Sequence, residues 1–307
     1  MRRSDERHEG SLTPRVSATA KRLHGRRGPL VLAKASCGCQ GGEVESGRVS
    51  EDSMDLGLAD RVFVVSGGSR GLGRAGAEAL VAEGAKVVLG ARDANMLSQV
   101  AAELGGPESA FGVPTDLAES GAEERLVAAA MARFGRVDGA LVSAGGPPPG
   151  LVMDITDEQW RDAFESVFLG QLRTARAVAN SIGEEGGAIS FVLSSSAREP
   201  IESLATSNGL RPGLAGVVKT MADELAPRGI RVNGLMPGWI NTDRTRELDA
   251  KMGRSDSARR RRESAIPMGR YGDPVEFATI AAFTLSAAAS YLTGALIPID
   301  GGARRSL

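Results

Sequence analysis

R-V-F-V-V-S-G-G-S-R-G-L-G, running from Arg61 to Gly73, decides the fold of this chain. Val62 to Val65 is a short apolar run with the length and β-branched content of a buried parallel strand. Glycines at 67, 68, 71 and 73 follow at once, and a helical pattern then runs to Gly84. A strand that feeds a glycine-rich turn into a helix N-terminus builds an anion site. The glycines let backbone N–H groups approach a phosphate, and the helix dipole favours its charge.

The rest of the composition suits that beginning. The chain has 307 residues, 42% hydrophobic and 24% charged, enough for one large domain with a core. Forty glycines and few aromatics fit an α/β protein with many tight turns. The formal net charge of −1 carries no global signature for nucleic acid or an anionic membrane. No apolar run approaches the roughly 18 residues that span a bilayer, so the chain reads as soluble and cytoplasmic.

Residues 1–53 differ in character. They are rich in Arg, Ser and Gly, lack periodicity, and hold both histidines (His8, His24) and both cysteines (Cys37, Cys39). They carry 10 Lys+Arg against 7 Asp+Glu, leaving 27 against 31 for the remainder. The apolar stretch Leu30 to Ala33 is shorter than a signal core, and Cys37-Gly-Cys39 lacks a second pair of metal ligands. The expectation is a disordered or non-native extension ahead of a natural start at Met54, with residues 54–307 as one catalytic domain.

Beyond the first helix, buried strands are expected at Lys86 to Arg92, Ser109 to Thr115 and Gly139 to Ser143. The helix Gly121 to Phe134 separates the last two, and Pro147 to Pro149 stop anything regular. A long helix, Asp157 to Ser181, shows Trp160, Phe164, Val167 and Leu172 at helical spacing. The strand Ala188 to Leu193 enters the serine run Ser194 to Ser196, followed by a helix over Ser207 to Ala226. Next come a strand, Ile230 to Met236, the break Pro237-Gly238, and a polar Arg-rich helical stretch to Glu263. A helix over Asp273 to Ala288 and a strand over Ala295 to Ile299 close the chain at Asp300-Gly301-Gly302. This alternation predicts an α/β fold: a Rossmann-type doubly wound parallel sheet of about seven strands in a single domain. Its ligands belong at the C-terminal strand ends.

Residues 56–302 resemble the short-chain dehydrogenase/reductases. Ser66-Gly67-x3-Gly71-Leu72-Gly73 is similar to that family's T-G-x3-G-x-G turn, and Asp116-Leu117 to the pair that holds adenine. Ala144-Gly145 keeps the second half of N-N-A-G, and Pro237-Gly238 with Thr242 matches the P-G-x3-T that clasps the nicotinamide amide. Ala222 to Asn233 and Ile299 to Gly302 are family landmarks too. The resemblance is strongest to the 3-oxoacyl-acyl-carrier-protein reductase type, including a subset with G-G-P-P-P-G after strand four. It implies hydride transfer between NADP(H) and a carbonyl/alcohol pair, a 3-oxoacyl thioester or other ketone. It also implies assembly as a homodimer or homotetramer through the helices of 157–181 and 207–226, with close packing along Leu214 to Val218, and acyl carrier protein as a candidate partner. Gly67, Ser69, Arg70, Gly71, Leu72 and Gly73 would form the phosphate cradle.

Charge narrows the cofactor. An NAD-selective site ends strand two in an acidic residue; here that end is Ala91-Arg92, and Arg70 stands inside the glycine turn. Two guanidiniums suit a 2′-phosphate, though both positions also suit solvated surface arginines.

The resemblance breaks at the chemistry. The family uses an Asn, a Ser and a Tyr-x3-Lys; here the Tyr position falls on Ser207, the Lys position on Arg211 and the Asn position on Val167. The Ser is kept as Ser194. The chain's two tyrosines, Tyr271 and Tyr291, are followed four places on by Val275 and Ala295, so no shift of alignment restores the pair. A phenol near pKa 10 can be tuned toward neutrality by a cation, whereas an aliphatic hydroxyl cannot. Arg211 can supply fixed charge but no proton relay. Glu199 and Glu202 remain as candidate acids or as plain loop charges. Arg259 to Arg262 reads as a solvated helix face or a docking site, and Trp239 as a wall of the substrate site or core filling. Two functions compete: a reductase with an atypical site, and a nucleotide-binding protein without redox turnover. Non-redox chemistry on the same fold is the third reading.

Overall fold

In a computed structural model, which describes residues 55–251 and 256–306, the run Val62–Ser66 is a strand, β1, buried along its whole length. Its alternate residues face opposite sides of the sheet. Val62 and Val64 join one core with Val88, Ala140 and Ile189, while Phe63 and Val65 join a second with Leu89, Leu141 and Val192. A sheet that is apolar on both faces needs helices on both.

The chain supplies them in turn. α1 (Gly71–Ala82), β2 (Lys86–Ala91), α2 (Ala94–Glu103), β3 (Ala110–Pro114), α3 (Ala122–Phe134) and β4 (Gly139–Val142) make the first half. α4 (Asp157–Ala163), α5 (Gly170–Ser181), β5 (Gly187–Val192), α6 (Ala205–Leu225) and β6 (Ile230–Pro237) follow. α7 (Asp243–Lys251), α8 (Asp256–Ala265), α9 (Pro274–Leu285) and β7 (Leu296–Ile299) complete it. All seven strands run parallel in the order β3-β2-β1-β4-β5-β6-β7. Helices α3, α5 and α6 pack on the first face, and α1, α2 and α9 on the second. The strand order reverses between β1 and β4, which opens a crevice at their C-terminal ends, the place where this class of sheet binds ligands. The fold is the expected doubly wound sheet.

Three expectations are corrected. The long helix over 157–181 is not continuous: Phe164–Leu169 forms a π turn between α4 and α5. Such a turn holds one residue more than an α turn, and here it brings Gly170 against the β3–α3 connection. A Cβ on Gly170 would lie 2.3 Å from the Leu117 carbonyl oxygen. The extra helix α2 was not predicted; Asp93 caps it, its carboxylate accepting from the N–H groups of Asn95 and Met96. Finally, Leu214, Ala215 and Val218 do not form an outward packing stripe, because they are buried in the first core. The expectations for residues 1–53, including Cys37 and Cys39, lie outside the described residues.

The strand ends opposite the crevice are tied by charge. Asp138, just before β4, accepts from Arg61, from both Arg136 Nε and Nη2, and from the Val62 N–H. Burial pushes its carboxyl upward, but the hydrogen bonds from Arg136, Arg61 and the Val62 amide outweigh this and hold it below the usual range. Among the described residues no helix is long and apolar enough to cross a membrane.

Candidate active site

The crevice begins at the turn after β1. Gly67 and Gly71 have φ of +63° and +58°, a left-handed backbone that glycine alone adopts without strain. Gly73 must be glycine for a different reason: a Cβ there would sit 2.3 Å from the Gly67 carbonyl oxygen. The turn is therefore folded tightly onto the first turn of α1, with Ser69 buried and Arg70 exposed. Ser66 locks it to the neighbouring strand, donating from Oγ to the Ser143 carbonyl at 2.7 Å and accepting from the Ser143 N–H at 2.9 Å. Oγ is thus a bridge between the ends of β1 and β4 at the point where the strand order reverses.

The other expected cofactor residues follow the C-terminal ends of β2, β3, β4 and β6. Thr242 is buried and approaches Gly71, whose Cβ would lie 3.9 Å from the threonine. The Asp116 carboxylate accepts from the Ala118 N–H, an Asx turn that sets the loop after β3, and Leu117 backs onto Gly170. Ala144 is half-buried and Gly145 is exposed, with open space where a Cβ would stand. Pro237 ends β6, and Gly238 donates its N–H to the Ile299 carbonyl. Arg92, at the end of β2, is exposed and makes no ion pair among the described residues; Arg70 lies 4.0 Å from Glu247 of α7. The cradle, the crevice and the exposed guanidiniums of Arg70 and Arg92 fit a dinucleotide.

The catalytic positions look different. Arg211 is 5% exposed, donates from Nη1 to the Val192 carbonyl at 2.6 Å, and leaves Nε buried without a partner. No carboxylate pairs with it among the described residues. Burial alone pulls its guanidinium down to about 10. Ser207 meets Ser196, not Ser194, with the hydroxyl oxygens 2.9 Å apart. Ser194 instead accepts from the Ser196 N–H, capping the short 3₁₀ turn Ser195–Ala197.

Asn208 exchanges two hydrogen bonds with the backbone of Ile201. Arg211 thus fastens α6 to the end of β5, and Ser207 and Asn208 fasten it to two points of the β5–α6 segment. Ser203 within that segment holds φ at +61°, a strained value for a serine. At the Asn position, Val167 sits in the π turn, and its carbonyl accepts from Gln171 Nε2 at 2.6 Å, leaving the buried Gln171 Oε1 unpaired.

The candidate acids separate. Ser306 of the C-terminal tail donates to the Glu199 carboxylate and holds it below the usual range. Glu202 is exposed. The arginine run is not one solvated face. Arg260 and Arg261 are exposed, but Arg262 lies over Trp239 at 4.2 Å and Arg259 over Tyr271 at 4.8 Å. Trp239 is half-buried, stacks on Tyr271 and lines a cavity with Ser195 and Gly238. From α7, Arg244 donates to the Pro147 carbonyl, strapping α7 to the proline loop; burial lowers its pKa. Among the described residues no cluster of three or more metal-ligating side chains occurs.

Sequence reasoning missed Ser196, Asn208, Gln171 and Arg244. Asn208 sits inside the S-N-G-L-R stretch that replaces Tyr-x3-Lys, and that position was its one signal. Ser196 was hidden because the 3₁₀ turn, which brings it to Ser207, has no sequence pattern of its own.

A glycine turn at the switch point of a parallel sheet defines a dinucleotide-binding enzyme class. A family model described as enoyl-(acyl carrier protein) reductase matches residues 67–304. The chain belongs to the short-chain dehydrogenase/reductase family. It is 34% identical over 248 residues to the 3-oxoacyl-[acyl-carrier-protein] reductase FabG of Salmonella typhimurium, covering 80% of this chain and 98% of that enzyme. It is also 34% identical over 254 residues to the L-rhamnose 1-dehydrogenase (NAD(P)(+)) of Azotobacter vinelandii, covering 80% and 97%. Among solved structures it resembles L-sorbose reductase from Gluconobacter frateurii complexed with NADPH and L-sorbose. The TM-score is 0.77 at 29% identity, covering 83% of this chain and 100% of that one.

Proposed function

We propose that residues 54–307 form an NADP(H)-dependent oxidoreductase that interconverts a carbonyl and an alcohol without the family's tyrosine. The observation that carries this reading is Arg211, a buried cation beside the serine cluster with no carboxylate partner and one unpaired N–H. Burying an uncompensated charge costs several kcal/mol, and a developing oxyanion is a group that would offset that cost. NADPH, when bound, supplies the hydride.

The chain's residues do the rest. Gly67, Ser69, Gly71, Leu72 and Gly73 cradle the pyrophosphate, with Asp116 and Leu117 at the adenine end. Ala144, Gly145, Pro237, Gly238 and Thr242 hold the nicotinamide end, and Arg70 and Arg92 grip the 2′-phosphate. Arg211 polarises the carbonyl oxygen as a fixed charge. Ser194, half-buried at the mouth, hydrogen-bonds that oxygen. The proton comes from water and passes along the Ser196–Ser207 hydroxyl pair, in which either atom is able to donate, so neither serine has to ionise. Orientation in a closed site supplies most of the acceleration. Assembly in pairs or fours through α5 and α6 belongs to the same proposal, with Gly209, Gly213 and Gly216 exposed on α6.

A second reading has an observation of its own. Ser207, Asn208 and Arg211 all bond to the end of β5 or to the segment after it, as structural staples would, and this favours a nucleotide-binding protein without turnover. Titration of the full chain with NADPH and NADH, followed by nicotinamide fluorescence, tests the shared premise. Tight NADPH and weak NADH binding is expected, and binding of neither ends both readings. Ser207→Tyr with Arg211→Lys then separates them: a large gain in reductase activity marks a decayed site, and no gain over a measurable wild-type rate marks a repurposed one.

A further inference from the structure

Between the β5–α6 segment, the loop after β6 and the C-terminal tail lies a cavity of about 160 Å³. That is room for roughly five waters at their liquid volume. Two of its lining residues are chain neighbours of the proposed chemistry: Ser195 stands between Ser194 and Ser196, and Gly238 follows Pro237. Its walls mix two kinds of surface. Trp239, Pro200 and Ile201 offer apolar faces, while Glu199, Asp300 and Arg304 bring charge.

The charged groups have specific states. The Glu199 carboxylate accepts from the Ser306 N–H, which holds it below the usual range. Arg304 and Asp300 form a pair whose side chains are 7% and 8% exposed, through Nε at 3.4 Å. Arg304 Nη1 reaches only the Met236 sulfur at 3.8 Å, and Nη2 meets no acceptor among the described residues. So the cavity is lined by an acceptor carboxylate and by a nearly buried guanidinium with unused donors.

Resting on the reductase reading, we propose that this cavity is a substrate subsite for a hydroxylated tail, so that the substrate is a small polyhydroxy carbonyl compound. A hydroxyl donates to Glu199 and accepts from Arg304 Nη2 with the same oxygen, which few other groups achieve. The C–H face of such a tail packs on Trp239. An acyl chain would instead strip water from Glu199 and the Arg304–Asp300 pair and return no hydrogen bonds, an unfavourable exchange. An anionic tail would face two carboxylates against one guanidinium. The C-terminal tail is therefore a specificity element: Ala303 and Arg304 wall the cavity and Ser306 bonds the Glu199 carboxylate.

The test uses the full chain without cofactor, so that its outcome is independent of nicotinamide binding. Trp160→Phe leaves Trp239 as the one tryptophan, and its emission is followed during titration with D-sorbitol and, separately, 1-hexanol. A saturable change with sorbitol, weakened about fivefold or more by Glu199→Gln and by the charge-conserving Arg304→Lys, is expected. No saturable response to sorbitol, an affinity unchanged from the Trp160→Phe parent in either variant, or tighter binding of 1-hexanol would overturn the proposal. Failure here with intact NADPH binding removes the subsite and leaves the reductase reading; failure of NADPH binding with intact sorbitol binding removes the reductase reading, and the cavity is then a polyol site but no substrate subsite.

Discussion

Replacing Arg211 by methionine should make the protein more stable and less active. The fall of its pKa from the ordinary arginine value to about 10 measures how strongly burial disfavours its charge. That fall corresponds to about 3 kcal/mol at 1.36 kcal/mol per pKa unit. Methionine keeps the length and the apolar stem but gives up the hydrogen bond to the Val192 carbonyl, about 1 kcal/mol. The net gain is about 2 kcal/mol. In a domain of this size that raises Tm by roughly 4–8 °C.

Circular dichroism melts of the full-length wild type and Arg211→Met at pH 7.5, without nucleotide, read this directly. The pH dependence has a definite sign. Below pH 10 both folded and unfolded arginine are protonated and the cost is constant. Above it the folded form sheds its proton first, so the wild type recovers and the gap between the two proteins narrows. Turnover with NADPH should drop by about 10²–10³, the loss expected for one oxyanion donor. A Tm several degrees below wild type would refute the reasoning, because it would mean that Arg211 has a compensating partner in the folded protein.

Gly73→Ala puts a methyl 2.3 Å from the Gly67 carbonyl oxygen; the turn must move, and NADPH affinity measured by fluorescence titration should fall at least about tenfold, in line with overpacking costs of 1–3 kcal/mol. Arg92→Glu should weaken 2′,5′-ADP binding by about tenfold while leaving 5′-AMP binding unchanged, since it removes one charge-assisted contact to the 2′-phosphate; equal loss for both would remove Arg92 from the cofactor rim. Glu276, bonded by Arg270 and by the Asp273 N–H, has its carboxyl drawn down to about 2. Its contribution is present above the unfolded value near 4.3 and is lost as pH falls through about 2. Glu276→Gln should accordingly flatten the acid limb of a urea-stability profile between pH 5 and 2, and an unchanged slope would contradict the assignment.

The sheet was legible because its signals are strong and local: β-branched runs ended by glycine or proline, in strict alternation with helices. α2 escaped because its buried residues are only Leu97 and Val100, too few to mark a periodicity. The π turn left one faint trace, the five-residue step from Val167 to Leu172 where helical spacing expects three or four. The glycine turn was legible too, because left-handed φ and backbone approach dictate the residue type there. The catalytic contacts were not. The resemblance marked Ser194, but the hydroxyl that reaches Ser207 is two residues on, at Ser196, in a 3₁₀ turn that Ser194 caps. Glu199 looked like a free loop charge because its partner, Ser306, lies more than a hundred residues away in the chain.

The π turn at Phe164–Leu169 also bears on chain length. It amounts to an α-helix that has absorbed one surplus residue, so excising a single residue there restores an ordinary helix and leaves both flanks in phase. Trp160 would still lean on Gly209, and Val178 would still face the sheet. A deletion anywhere else in 157–181 would rotate everything beyond it by about 100°, the angle implied by 3.6 residues per turn, and carry the buried residues out of the core. The middle of this helix is thus the one place along it where the gene can lose a codon and the fold can keep its register, at the expense of the Val167–Gln171 contact and the approach of Gly170 to Leu117.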